Sequence, residues 1–192
     1  MGLTLRFRLR QGQRWREQHK LIQVEQRPGH PPSGLENSWT LEQEVLEALP
    51  DRCRVSWKRE DETSCDQPEG PNRGELWIDE LGRSKPVGGQ EWSEPLFPVE
   101  EVEVSQVWTH SAAPGATPVH FTIEKQEEDA LHLVSYLQVT QAGISHEVRG
   151  ATRMCPDSGR VLSSLTVTKV SHPEGRTVQT VVEVNSEELT SI

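Results

Sequence analysis

Apolar and polar residues alternate along most of this chain, and that spacing is typical of β-strands that turn one face toward a core. The clearest case is a pair of alternating segments, Val119–Glu124 and Leu131–Val139, joined by a polar turn at Gln126–Asp129. Two such segments joined by a short turn form a β-hairpin. The pattern therefore predicts a hairpin over these residues.

The stretch from Ile144 to Val184 repeats this arrangement and contains two further turn signals. Pro156-Asp157-Ser158-Gly159 and His172-Pro173-Glu174-Gly175 both combine Pro with Gly, as chain reversals do. The run Val161 to Val170 lies between them and is rich in β-branched residues. We expect three consecutive antiparallel strands here, preceded by a turn at Gln141-Ala142-Gly143.

The beginning of the chain also alternates. Apolar side chains alternate here with polar and basic ones, namely Leu3, Leu5, Phe7 and Leu9 with Thr4, Arg6, Arg8 and Arg10. This alternation predicts a strand with one charged face. A second strand is predicted from Trp15 to Gln26. The Pro- and Gly-rich segment Arg27–Gly34 follows and predicts an exposed loop.

The segment Ser38–Leu49 allows two assignments. Leu41, Val45 and Leu49 fit one stripe of a helix, but Trp39 to Val45 also alternates as a strand does. A turn at Leu49–Arg52 leads into a clear strand that contains Cys53, Val55 and Trp57. A strand before that turn gives this next strand a local hairpin partner, so we favour a strand.

The remaining segments are short or interrupted. Glu60–Arg73 is a polar insertion, Glu75–Asp79 a short strand, and Ser84–Glu94 a loop. Glu94–Val107 is broken by two prolines, which favours an edge or crossing segment over a central strand. The pattern predicts ten or eleven strands and an all-β fold. We expect residues 1–192 to form a single domain with a curved, mainly antiparallel sheet, either a half-barrel or an open barrel, and little helix.

Short phrases recur along the chain and suggest an internal repeat. Polar residues precede a strand-opening Trp at both Trp15 and Trp108, and Arg73-Gly74 is echoed by Arg149-Gly150. Two related halves, residues 3–90 and 95–185, account for these echoes. Chance similarity between short strand-and-turn phrases accounts for them as well.

The charge of the chain is unevenly distributed. The chain has a net charge of -10, which argues against nucleic acid as a partner, because phosphate binding needs a basic surface. Residues 1–20 carry six basic side chains and one acid, so the other 172 residues carry -15. Arg6, Arg8 and Arg10 either pair with Glu42 and Glu44 of a neighbouring strand or form a basic edge that binds a membrane or a protein.

The sequence contains no pattern typical of a catalytic or metal site. The seven histidines form no ligand pair, and no Ser elbow or phosphate-binding glycine loop is present. We predict no enzyme activity, no catalytic residue, no metal and no cofactor. Cys53 and Cys65 either close one hairpin as a disulfide or remain thiols like Cys155. No run of 18 apolar residues predicts a transmembrane segment.

All six tryptophans lie within the first 108 residues. The conventional interpretation is that they fill a thin core, because each buries a large apolar area. The alternative is an aromatic wall that binds a ligand. The candidate ligand-binding residues are Trp15, Trp39, Trp57, Trp77 and Trp108. Trp92, in a polar loop, is the best candidate for exposure.

The phrase Leu96-Phe97-Pro98-Val99, followed by Trp108, resembles the middle of an uncharacterised family of exported bacterial β-rich proteins. Phe7 to Trp15 and Gly150 to Gly159 match two further short motifs of that family. In shape the family is similar to the lipoprotein-carrier half-barrels of the bacterial envelope (LolA/LppX-like), whose curved sheet holds an acyl chain. The resemblance implies an extracytoplasmic address and a hydrophobic cargo. The helices that plug the carriers have no counterpart here, unless Thr40–Leu49 is one.

Two functions remain. The first is a non-enzymatic binding protein that holds a lipid or a lipoprotein segment on a curved sheet. The second is a structural or protein-interaction module without a pocket, which uses the edge at Arg6, Arg8 and Arg10. The expected location is extracytoplasmic, in the bacterial envelope, if a signal has been removed, and cytoplasmic otherwise.

Overall fold

The computed structural model describes residues 2–63, 71–111 and 117–189, and these residues form one antiparallel sheet of eleven strands. No helix occurs among them, so none could cross a membrane. The strands are β1 Arg14–Gln26, β2 Ser33–Ala48, β3 Arg52–Thr63, β4 Arg73–Asp79, β5 Ser84–Pro86, β6 Val107–His110, β7 Val119–Gln126, β8 Leu131–Gln141, β9 Ile144–Met154, β10 Val161–Ser171 and β11 Thr177–Leu189.

The strand order is β5-β4-β3-β2-β1-β11-β10-β9-β8-β7-β6, so the first and last strands pair at the centre. The outermost strands, β5 and β6, are the shortest, with 3 and 4 residues. The all-β prediction is confirmed, and so is the choice of a strand for Ser38–Leu49. The hairpin predicted over Val119–Val139 is strands β7 and β8.

The sheet is strongly curled, and the evidence is that the turns after two distant strands, β4 and β9, both hydrogen-bond to the segment at Phe7 and Arg8. The Phe7 N–H donates to the Glu80 carbonyl after β4, and the Arg8 N–H donates to the Ser158 carbonyl after β9. Adjacent amides of an extended segment point in opposite directions, so the two turns lie on opposite sides of this segment. Each is one backbone spacing away from it, which places the turns about 10 Å apart. In a flat sheet, six strand spacings would place β4 and β9 about 29 Å apart. The sheet is therefore a half-barrel that remains open along its edges.

The interior of the curl is filled at one end only, which we call the base. One buried cluster there contains Leu5, Phe97, Val102, Ile123, Leu131, Leu133 and Met154. A second contains Trp15, Val45, Cys53 and Val55. The strand residues in both clusters come from the first residues of β1, β3 and β8 and the last residues of β2, β7 and β9. The strand register places all of these at the same end of the sheet.

Two extended segments close the base, and we call them the plug: residues 2–13 and residues 87–106. Leu5 and Phe97 are buried in the first cluster, and Leu9 packs against the second. The two segments contact each other through paired backbone hydrogen bonds between Leu3 and Val102. The prediction of a sheet strand over Leu3–Leu9 is wrong, because this segment is extended but lies in none of the eleven strands, and its isolated bridge is to Val102 of the other plug segment. The prediction of a crossing segment for Glu94–Val107 is confirmed.

Buried polar groups fix the turns that meet the plug. The Asp79 carboxylate accepts hydrogen bonds from the amides of Leu81 and Arg83 at 3.0 and 2.9 Å, and from Arg83 Nε at 2.6 Å. Arg160 is also buried and donates to Ser186 Oγ at 2.6 Å. Buried polar groups need partners of this kind, so the Asp79 contacts fix the shape of the β4–β5 turn and the Arg160 contact ties the β9–β10 loop to β11.

The predicted internal repeat stays a prediction. Trp15 lies in β1 and Trp108 in β6, while Gly74 lies in β4 and Gly150 in β9. Cys65, the predicted disulfide partner of Cys53, lies outside the described residues.

Candidate ligand-binding face

The two faces of the curled sheet differ in chemistry. We call the face that includes Trp15 and the base the inner face, and the opposite one the outer face. On the outer face, Arg16 Nη2 contacts Glu42 Oε1 at 2.6 Å, and Lys20 Nζ contacts Glu36 Oε1 at 2.8 Å. These pairs bridge β1 and β2, and they are largely solvated, which suits a surface that remains in water.

Beyond the base, the inner face of β8 to β11 carries apolar side chains together with Thr166, Thr168, Thr180 and the exposed His146. Alternation and register place seven valine and leucine side chains there, and we call them the open rows: Leu137, Val139, Val148, Val170, Val178, Val182 and Val184. All seven are partly exposed, whereas inner-face residues of the base are buried. Within the described part of the chain, no second layer buries them. Partly exposed apolar side chains grouped on one concave face form a candidate binding surface.

The inner face of β1 to β3 is instead polar and aromatic. Glu17 Oε1 accepts a hydrogen bond from Trp15 Nε1 at 3.1 Å, and Glu17 Oε2 lies 3.0 Å from His19 Nε2. The His19 ring stacks on Trp39 with centroids 5.0 Å apart. The Arg59 guanidinium lies 4.8 Å from the centre of the Trp39 ring. The inner face therefore has an apolar half and a polar half, side by side.

The sequence did not single out this polar group on the inner face. Glu17 and His19 are two residues apart in β1, and they share its inner face with Trp15. His19 is paired with Trp39 across β1 and β2. The spacing within β1 could have indicated the shared face, but the contact with Trp39 depends on a strand register that the sequence does not specify.

The tryptophans predicted to bind a ligand do not form one wall. Trp15 is buried in the base, Trp39 belongs to the polar half, and the Trp57 ring covers Gly74 on β4. Trp108 stacks on Phe121 at the edge of the apolar half, with centroids 5.8 Å apart. Trp77 lies on the outer face, where the Arg52 guanidinium covers its ring at 5.2 Å.

Trp92, the tryptophan expected to be exposed, is partly buried. Its ring lies beneath two cationic side chains of the β5 edge. Lys85 Nζ is 4.9 Å from the ring centre, and the Arg83 guanidinium carbon is 5.9 Å from it. The indole therefore packs against the edge strand through cation–π contacts and is not presented freely to solvent.

The three arginines of the predicted basic edge have different environments. Arg6 Nη1 and Nη2 donate to the carbonyls of Pro98 and Val99 at 2.9 and 2.6 Å, so Arg6 joins the two plug segments. Arg8 and Arg10 are exposed and form no ion pair within the described residues. Glu42 and Glu44 pair with Arg16 and Arg14. Their predicted pairing with Arg6, Arg8 and Arg10 is wrong.

Two features of the described residues bear on their reactivity. No group of three or more His, Cys, Asp or Glu side chains suited to a metal ion occurs among the described residues. Burial raises the pKa of the Cys53 thiol to about 11, so this thiol is protonated and a poor nucleophile at neutral pH.

No family model and no curated protein matches the chain. Among solved structures, the chain is similar to a LolA superfamily protein, NE2245 from Nitrosomonas europaea. The two are 12% identical, the match covers 97% of this chain and 90% of the other, and the TM-score is 0.23. A TM-score of this size does not establish a common fold.

Proposed function

We propose that this protein is a non-enzymatic binding protein whose curved sheet holds a hydrophobic or amphipathic ligand, a lipid or a lipidated segment of a protein. The observation that carries the proposal is the set of open rows on the concave inner face. Their valine and leucine side chains line the hollow and are partly exposed, while ion pairs bridge β1 and β2 on the outer face.

The energetics favour an apolar occupant. Each CH₂ or CH₃ group removed from water contributes roughly 0.8 kcal/mol, and the seven side chains of the open rows are all incompletely buried. A ligand lying along β8 to β11 would cover several of them at once. The hydrophobic effect therefore supplies a driving force that needs no specific hydrogen bond.

The shape of the sheet favours a narrow ligand over a protein surface. The curl brings the turns after β4 and β9 to opposite sides of one plug segment, so the inner face is concave. A flat partner cannot reach the bottom of such a hollow, whereas a single alkyl chain can.

Neighbouring residues on β11 provide a matched test. Val182 faces the hollow between Leu21 and Thr166, and Val181 faces outward between Ile22 and Val167. We expect Val182→Glu to weaken binding of a fluorescent fatty acid by at least about tenfold, since a charge would be desolvated by the ligand. Val181→Glu should bind as the unmodified protein does.

Native mass spectrometry of protein purified from its own host gives an independent readout, and we expect a co-purified lipid. Equal affinity of the two variants, with both folded by circular dichroism, would contradict the assignment of the ligand to the inner face. Absence of any lipid and of any fatty-acid binding would contradict the function itself.

The exposure of Arg8 and Arg10 supports a second candidate, a protein-interaction module that binds through its basic edge. The charge reversals Arg8→Glu and Arg10→Glu should then weaken capture of the partner in a pull-down. Arg6 is unsuitable for this test because it ties the plug together. Arg149→Glu, an exposed site on the outer face, is the control.

We also propose an extracytoplasmic location, which is supported by the short motifs around Leu96 to Trp108. Fractionation of the native host with an antibody against the protein tests this. Recovery with the cytoplasmic fraction would contradict it.

A further inference from the structure

A small cavity lies where the plug meets the inner face of β6 to β9. Its volume is about 120 Å³. Leu96 and Phe97 of the plug form one wall, and Trp108, Phe121, Leu133 and Met154 form much of the rest. The lining is almost entirely hydrocarbon, apart from the hydroxyl groups of Ser135 and Thr152.

The indole N–H of Trp108, one of the lining residues, is buried and has no hydrogen-bond acceptor among the described residues. Buried donors without partners are rare in folded proteins, and each one calls for an explanation. The polar side-chain groups of the lining residues are this N–H and the hydroxyl groups of Ser135 and Thr152, and the other lining side chains are hydrocarbon or the Met154 thioether.

Small side chains connect the cavity to the open rows. Ser135 on β8, Gly150 on β9 and Thr166 on β10 are consecutive partners across the inner face. A Cβ on Gly150 would lie 2.3 Å from Ser135 Oγ. The glycine therefore leaves this row of the inner face without a projecting side chain at its centre. The next row away from the base contains Leu137 and Val148, which belong to the open rows. The surface between the cavity and the open rows is thus formed by small side chains only.

We propose that this cavity binds the methyl end of the ligand's alkyl chain, an inference that rests on the proposed function. Apolar cavities of about 150 Å³ accept a benzene-sized molecule, so a space of this volume suits a few terminal carbons and not a head group. The plug ends the hollow here. The remainder of the chain then lies over Gly150 and along the open rows, and the polar end group lies away from the base.

A dead-end cavity makes binding depend on chain length. Affinity for saturated fatty acids should rise about fourfold for each added methylene until the methyl end fills the cavity, and then level off. Ser135→Met fills the cavity from its β8 wall. We expect this variant to lose about tenfold or more in affinity for the longest chains while keeping its affinity for shorter ones.

Ala151→Met is the matched control, because Ala151 is exposed on the outer face of β9, next to Thr152. It should show the same length dependence as the unmodified protein. Thr152→Leu is a second filling variant, used if Ser135→Met does not fold by circular dichroism.

Stearic acid with a nitroxide label locates the chain directly. A label near the methyl end should quench tryptophan fluorescence more than a label near the carboxyl group, and Trp108→Phe should abolish the excess. If fatty acids bind but label position and Ser135→Met make no difference, the inference is overturned and the proposed function stands. If no fatty acid of any length binds, both are overturned.

Discussion

Two leucines of β8 show how different the two ends of this sheet are. Leu131 and Leu137 lie on the same inner face, yet Leu131 is 2% exposed in the base while Leu137 remains partly exposed in the open rows. The alternating pattern is the same at both positions. What differs is the cover, which comes from the plug, two segments outside the sheet. The comparison teaches that alternation identifies a face but not what lies against it.

The largest expected effect compares these two leucines. Leu131→Ala should lower the free energy of unfolding by about 2–5 kcal/mol, because a buried leucine loses both its burial and its packing. Leu137→Ala should cost less than about 1.5 kcal/mol, since its side chain already contacts water. Urea denaturation followed by circular dichroism measures both. Equal losses would mean that the open rows are covered as well as the base.

A glycine beside the plug gives the next largest effect. Gly159 has a φ of +69°, and a Cβ there would lie 2.5 Å from the carbonyl oxygen of Arg6. Gly29 has a similar φ of +75° but open space around it. We expect Gly29→Ala to cost about 1–2 kcal/mol for the left-handed backbone alone. Gly159→Ala should cost about 1–3 kcal/mol more, because of crowding against the plug.

The same urea titration measures both glycine variants. Similar values for Gly159→Ala and Gly29→Ala would show that the β9–β10 loop does not press on residues 2–13. That outcome would remove one of the contacts from which the curl is inferred.

Arg6 and Arg8 allow a comparison within the plug, between a hydrogen-bonded arginine and an exposed one. Arg6→Ala removes hydrogen bonds to the Pro98 and Val99 carbonyls and should cost about 1–2 kcal/mol, since bonds from a charged donor are stronger than average. Arg8→Ala, at an exposed position, should change stability by less than about 0.5 kcal/mol. A stability loss at Arg8 as large as at Arg6 would argue against this role of Arg6.

The smallest effect is a pH dependence at the β7–β8 turn. Hydrogen bonds from Lys125 and then His132 lower the pKa of Glu127 from 4.5 to about 2. A carboxyl with a lowered pKa stabilises the fold above its ordinary pKa, and this contribution is lost as the pH falls from about 4.5 toward 2. Glu127→Gln should reduce the loss of stability across that range, measured by urea midpoints. Glu128→Gln, in the same turn, is the control.

Much of the sheet was predictable because most strands have a partner adjacent in sequence. The turns at Leu49–Arg52, Gln126–Asp129 and Gln141–Gly143 each join alternating runs, and all three connect paired strands. The ambiguous Ser38–Leu49 segment was resolved by the same rule. Local turn chemistry and period-two alternation therefore account for the fold class.

The parts that were missed depend on contacts between residues far apart in the chain. The alternation of Leu3 to Leu9 suits a sheet strand and a plug segment equally, and only the partner Val102 distinguishes the two. The stack of His19 on Trp39 depends on the register between β1 and β2. The prediction that Trp92 is exposed was wrong because the side chains of Lys85 and Arg83 cover its ring. Tertiary partners decided these cases.

The pairing of the first strand with the last has a consequence for how the protein is made. Gln26 pairs with Thr177, and Arg14 with Leu189, so the middle of the sheet contains the most distant residues in the sequence. Contacts of such long sequence separation slow folding. While the chain is being synthesised, β1 would have one neighbour, β2, and a bare edge on its other side until β11 leaves the ribosome. Folding of the nascent chain should therefore be completed only after β11 leaves the ribosome, with that exposed edge as its main opportunity for misassociation.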